Sequence, residues 1–176
     1  RALVVWVGIS LAGSTPGLLR PMPPDRPQVV FFEVGQGDAS LVQGRDAVLV
    51  IDTGSGPSDG SGGGQLVRGL RAMGVDSIDV LAVTHADLDH RAGSSRVLAA
   101  LPVEELWLPR SAIEDAPLVA LSDEALKRGT QVLWLATDAR RTQRGDLEID
   151  VLWPPPSVSS KVASRNESSL VLRVLV

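Results

Sequence analysis

Thr84-His85-Ala86-Asp87-Leu88-Asp89-His90, running on into Arg91-Ala92-Gly93, places two imidazoles and two carboxylates within six consecutive positions. Just before it, Val80-Leu81-Ala82-Val83 is short and apolar, as a buried strand is, and Ser94 to Leu101 has helical composition. The cluster therefore falls on a strand-to-helix turn beyond the carboxyl end of a strand, where open α/β sheets keep their ligands. His85, Asp87 and Asp89 occupy alternate positions that can face one cavity, and a sharp bend at Asp89-His90 brings His90 in from the other side. Neutral imidazole suits zinc, whereas carboxylate oxygen suits manganese or magnesium. The set predicts two divalent ions, manganese or zinc. The plainer alternative makes Asp89 a helix cap and Asp87 a turn residue. Against it, the chain has 2 histidines in all, and both stand here beside aspartates.

These residues resemble the metallo-β-lactamase superfamily, whose H-x-H-x-D-H signature lies on such a turn; Asp87 stands where the second histidine would be. Three further blocks share the likeness: Phe31-Phe32-Glu33-Val34-Gly35-Gln36-Gly37-Asp38-Ala39, Val50-Ile51-Asp52-Thr53-Gly54, and Asn166-Glu167-Ser168-Ser169-Leu170-Val171-Leu172. Together they are similar to the C-terminal domain of the ComEC family of competence proteins, over Val29 to Val176.

That resemblance implies an α/β fold, the N-terminal half of an αββα sandwich. It implies that His85 and Asp87 hold one ion and Asp89 and His90 the second, with Asp89 and His90 carrying the catalytic part. Asp52 would steady a ligand or its loop, unless it is a plain turn residue; Asp38 is likewise either a turn residue or part of the site. Asn166 and Ser168 would approach the site as hydrogen-bond donors. The implied reaction is phosphodiester hydrolysis, a nuclease degrading one DNA strand during transformation. By the same resemblance single-stranded DNA would be the substrate and other competence proteins its partners, and the bacterial membrane would be reached through a portion preceding the chain, with the hydrolase itself in an aqueous compartment. The family pattern continues with a Gly-Asp turn and a Ser-His-His-Gly-Ser block, which do not follow Leu170 here, so an incomplete domain that hydrolyses little alone is expected. Two other classes stay open: another hydrolase of this fold, acting on a lactone, β-lactam or thioester, and a non-catalytic domain of a membrane DNA channel.

Composition bounds these readings. A chain of 176 residues, 44% hydrophobic, suffices for one domain with a real core and not for two large ones. Without cysteine, any ion must rest on His, Asp and Glu, and the redox compartment stays open. A net charge of −4 and a pI near 5.1 argue against a broad basic face for nucleic acid. Residues 1–20 enclose an apolar segment, Ala2 to Ala12, expected to be the end of a membrane portion, with a signal peptide as the competing reading. Residues 21–28 hold four prolines in the seven positions Pro21 to Pro27, a stiff linker ahead of the domain at 29–176.

Within the domain, Val29–Val34, Ala39–Gln43 and Ala47–Asp52 read as a β-meander. Ser55 to Gly64 reads as a flexible glycine-rich loop, and Gln65 to Met73 has a helical period ended by Gly74. Strands at Glu105–Leu108, Gln131–Leu135, Leu147–Leu152 and Leu170–Val176 follow, with a helix over Asp115–Arg128. Trp107, Trp134 and Trp153 are expected in the core or at its rim. Arg140 to Arg144 is the one basic cluster, solvated unless its loop borders the cleft.

Overall fold

The computed structural model describes residues 24–54, 63–139, 141–159 and 164–176. The apolar segment at 1–20, the first part of the linker, most of the glycine-rich loop and Arg140 lie outside the described residues.

Six strands form one sheet in sequence order: β1 (Gln28–Phe31), β2 (Ser40–Gln43), β3 (Val48–Ile51), β4 (Ile78–Ala82), β5 (Val103–Pro109) and β6 (Gln131–Leu135). The first three pair antiparallel through short turns, as the meander requires. From β3 onward the pairing is parallel, and parallel neighbours need a crossover. Those crossovers are α1 (Gly64–Ala72), the pair α2 (Leu88–Arg91) and α3 (Ser94–Ala100), and α4 (Ala116–Lys127). A second sheet holds β7 (Thr142–Arg144), β8 (Leu147–Trp153) and β9 (Val171–Leu175), all antiparallel.

Alternation along the strands assigns each side chain to a layer. Leu81 and Val83, with Leu106 and Leu108, meet Leu66, Leu70, Val97 and Leu118 from the helices. Val80, Ala82 and Trp107 point the other way and pack with Leu49 against Leu147 and Ile149 of the second sheet. Both faces of β4 and β5 are covered, and their side chains are apolar apart from Asp79, which accepts from the Val48 N–H, and Glu104 and Glu105. The described residues thus supply helix, sheet and sheet layers.

Trp107 is buried, Trp134 packs at the edge of the helix-side core, and Trp153 lies half-exposed with its indole N–H donating to the Glu167 carbonyl at 2.7 Å. The basic cluster is not a loop. Thr142 to Arg144 form β7, Arg141 pairs with Glu148 and Asp150, and Arg144 reaches the buried Glu105. Its two described side chains are therefore both paired with carboxylates, Arg141 at the surface and Arg144 on a buried one.

Candidate metal centre

The site grows from the ends of two adjacent parallel strands. Ile51 pairs with Ala82, and the next residue, Asp52, continues that contact by donating its N–H to the Ala82 carbonyl at 2.8 Å. Asp52 has φ 57, the left-handed region that Asp tolerates better than most residues. This turns the chain back at the strand end. The buried carboxylate then receives three donors: the Thr84 N–H at 2.7 Å on Oδ1, and on Oδ2 the Thr84 hydroxyl at 2.7 Å and His90 Nδ1 at 2.8 Å.

A carboxylate only accepts, so the Thr84 hydroxyl spends its one hydrogen on Asp52. Its oxygen, 2.9 Å from His85 Nδ1, must then accept from that nitrogen. His90 Nδ1 likewise donates to Asp52. Both imidazoles are thereby fixed as Nδ1–H forms, and in the neutral ring each Nε2 carries a free lone pair. One carboxylate thus orients two rings, directly for His90 and through Thr84 for His85.

The ring centroids are 4.0 Å apart, close enough for charge on one ring to oppose charge on the other. Burial, and next the neighbouring His90, pushes His85 below its ordinary pKa. His90 is shifted the other way, chiefly by its bond to Asp52. The pair therefore favours a neutral His85 beside a His90 that keeps its proton longer.

Carboxylates face both free nitrogens. Asp87 Oδ2 lies 3.5 Å from His85 Nε2, while its other oxygen accepts from Arg165 Nη1 at 2.8 Å. That guanidinium, foremost, holds the Asp87 carboxyl below the usual range, and it also pairs with Asp115 at 3.3 Å. Asp38 Oδ2 is 4.0 Å from His90 Nε2. Asp89, in the first turn of α2, lies near enough for its charge to act on both imidazoles, with no ion pair to either among the described residues. Asn166 is exposed, and no hydrogen bond among the described residues ties its side chain to the cluster. Ser168 is buried; its single hydroxyl hydrogen is shared between the carbonyls of Ser164 and Arg165, at 2.9 and 3.0 Å, closing the turn. That turn docks on the site strand through Leu170 N–H to the Thr84 carbonyl at 2.8 Å, and so delivers Arg165.

The backbone around the cluster is held just as closely. Thr53 donates from both N–H and hydroxyl to the His90 carbonyl at 2.7 and 3.0 Å. Gly37 has φ 100, and a Cβ there would overlap the Asp89 carbonyl, so only glycine lets this turn lie on α2.

The donors suit a divalent ion. Bonds of about 2.1 Å from nitrogen and oxygen bridge a 3.5 Å gap at a near-tetrahedral angle and a 4.0 Å gap at a wider one. Each imidazole has one such carboxylate. Among the described residues no three His, Asp or Glu side chains are already closed around one point.

Residues 32–159 match the family model described as the Metallo-beta-lactamase superfamily. The chain is 29% identical over 165 residues to ComE operon protein 3 of Bacillus subtilis (strain 168), covering 82% of this chain and 20% of that protein. It is 32% identical over 92 residues to Competence protein ComA of Neisseria gonorrhoeae, covering 52% of this chain and 13% of that one. Among solved structures, a HARLDQ-motif mutant metallo-beta-lactamase of Cronobacter sakazakii superposes with a TM-score of 0.56 at 17% identity, over 88% of this chain and 60% of that one. The chain thus spans a fifth or less of these curated relatives' length.

Proposed function

The chain belongs to the metallo-β-lactamase superfamily, and from that premise we propose that it is the metal-dependent hydrolase domain of a ComEC-like DNA-uptake protein, a phosphodiesterase acting on single-stranded DNA. The observation that carries this reading is the Asp52 carboxylate, which leaves two imidazole lone pairs free beside carboxylates. In this reading His85 with Asp87 holds one ion, and His90 with Asp89 the second, manganese or zinc. Bound there, divalent ions supply Lewis acidity and charge to a phosphoryl centre. Asp52 and Thr84 keep the rings in register, and Arg165 offsets the charge that Asp87 adds. Leu88, exposed on α2, has no chemical part.

Charge supports phosphodiester chemistry through cations. Asp38, Asp52, Asp87 and Asp89 crowd one end of a chain of net charge −4, so a DNA phosphate is repelled until cations are present. Residues 29–176 form the hydrolase domain of this proposal, 21–28 its linker and 1–20 the end of a membrane portion; among the described residues no helix is long and apolar enough to cross a membrane. The domain would then work in an aqueous compartment beside the bacterial membrane, with other competence proteins as partners.

Calorimetric titration with manganese, followed by end-labelled single-stranded DNA with nitrocefin and a thioester in parallel, tests the reading. Metal uptake with manganese-dependent shortening of DNA, fast or slow, supports it. Nitrocefin or thioester turnover with DNA left whole assigns a different hydrolase, and no metal uptake assigns a non-catalytic domain.

A further inference from the structure

We infer that Asp38 is a further metal ligand, placed by the Gly35-Gln36-Gly37-Asp38 turn on the ion held by His90. This rests on the metal-hydrolase reading above. Asp38 is far from the cluster in sequence, yet its backbone is pinned to it on both sides: its N–H donates to the Asp89 carbonyl at 3.2 Å, and its carbonyl accepts from Gly54 at 2.9 Å. The close approach of Gly37 to the Asp89 carbonyl fixes the same turn. A rigid backbone thus presents a side chain that is 82% exposed, its Oδ2 4.0 Å from His90 Nε2.

His90 Nδ1 is already committed to Asp52, so Nε2 is the nitrogen left for an ion, and Asp38 is the carboxylate that faces it. Its exposure has a consequence for chemistry. A ligand that is itself exposed would leave its ion within reach of solvent and of a long substrate.

The test compares two variants of one turn by manganese calorimetry and by the visible spectrum of the cobalt-loaded chain. Asp38→Asn removes the proposed ligand; Glu33→Gln removes the same charge from the exposed neighbour whose carboxylate accepts from Gly35 at 3.0 Å. Both positions are exposed, and unchanged melting curves confirm intact folds. Asp38→Asn is expected to weaken one manganese site by about tenfold or more and to alter the cobalt bands, which report the ligand set; Glu33→Gln changes affinity by at most about twofold, as an exposed charge screened by solvent should. Equal small effects of the two variants, with identical cobalt spectra, overturn the inference. A wild-type chain that takes up no metal overturns the hydrolase reading itself, and the inference with it.

Discussion

Two buried carboxylates, on opposite sides of β4, have opposite uses. Asp52 and Glu105 are 3% and 4% exposed, and each is held by at least one partner from a distant segment. Glu105 takes the Trp107 indole N–H at 2.8 Å on one oxygen and the Arg144 guanidinium on the other. The indole has no other polar function to offer, and the guanidinium belongs to β7, so the cluster fastens the second sheet to the first. Asp52 takes a hydroxyl that passes the orientation on to His85 and an imidazole whose Nε2 lone pair is still free. What separates a structural carboxylate from a functional one here is a partner with a free lone pair, which an imidazole keeps and an indole or guanidinium lacks, and burial alone does not reveal it.

Asp52→Asn separates the two carboxylates most sharply. The amide keeps the shape and tolerates the left-handed backbone, but its NH2 faces Thr84 and His90 and donates where the carboxylate accepts. Both rings are then driven toward Nε2–H forms. Manganese affinity, read by calorimetry, is expected to fall about 100-fold, close to 2.7 kcal/mol. Glu105→Gln is the counterpart: melting is expected to show a loss of about 2 kcal/mol, the scale of a hydrogen bond to a charged group, while manganese affinity stays at the wild-type value. Metal loss in Glu105→Gln would erase the distinction. Thr84→Val removes only the relay to His85 and should weaken uptake about tenfold, with His90 still bound to Asp52.

The smallest effect is on pH dependence, read by thermal melts of the chain in chelator. His90 has a folded pKa above its unfolded value near 6.5, so its stabilisation is fully present below that value and is lost as pH rises through the folded pKa. His85 is depressed, so it contributes nothing above about 6.5 and destabilises as pH falls below it. Together the two imidazoles place a stability maximum near 6.5, and Asp52→Asn should flatten its alkaline side. A maximum unmoved by that substitution would separate His90 from Asp52.

Much of this was legible in sequence. The meander, the alternation of strand and helix after Asp52, and the position of the His85 to His90 turn all follow from local periodicity and composition, which is what short apolar strands and amphipathic helices encode. Asp52 stood out because an acid ends a strand of five apolar residues, Ala47 to Ile51. β7 was not legible, since Thr142-Gln143-Arg144 has no apolar residue; it exists through pairing with β8 and through Arg144 reaching Glu105. Arg165 was missed for a related reason. It meets Asp87 across 78 positions, and nothing local distinguishes it from a solvated arginine. Thr84 carries no local sign of a role, because its relay between Asp52 and His85 exists only when two strand ends lie side by side.

One carboxylate, Asp52, fixes the proton on both rings. Long-range 1H–15N correlation of the two imidazoles, in metal-free protein at a pH above the titration of His90, reads that proton directly. Protonated Nδ1 with a bare Nε2 in both His85 and His90, lost in Asp52→Asn, is the predicted result; an Nε2–H form or fast tautomer averaging in wild-type His90 would contradict it.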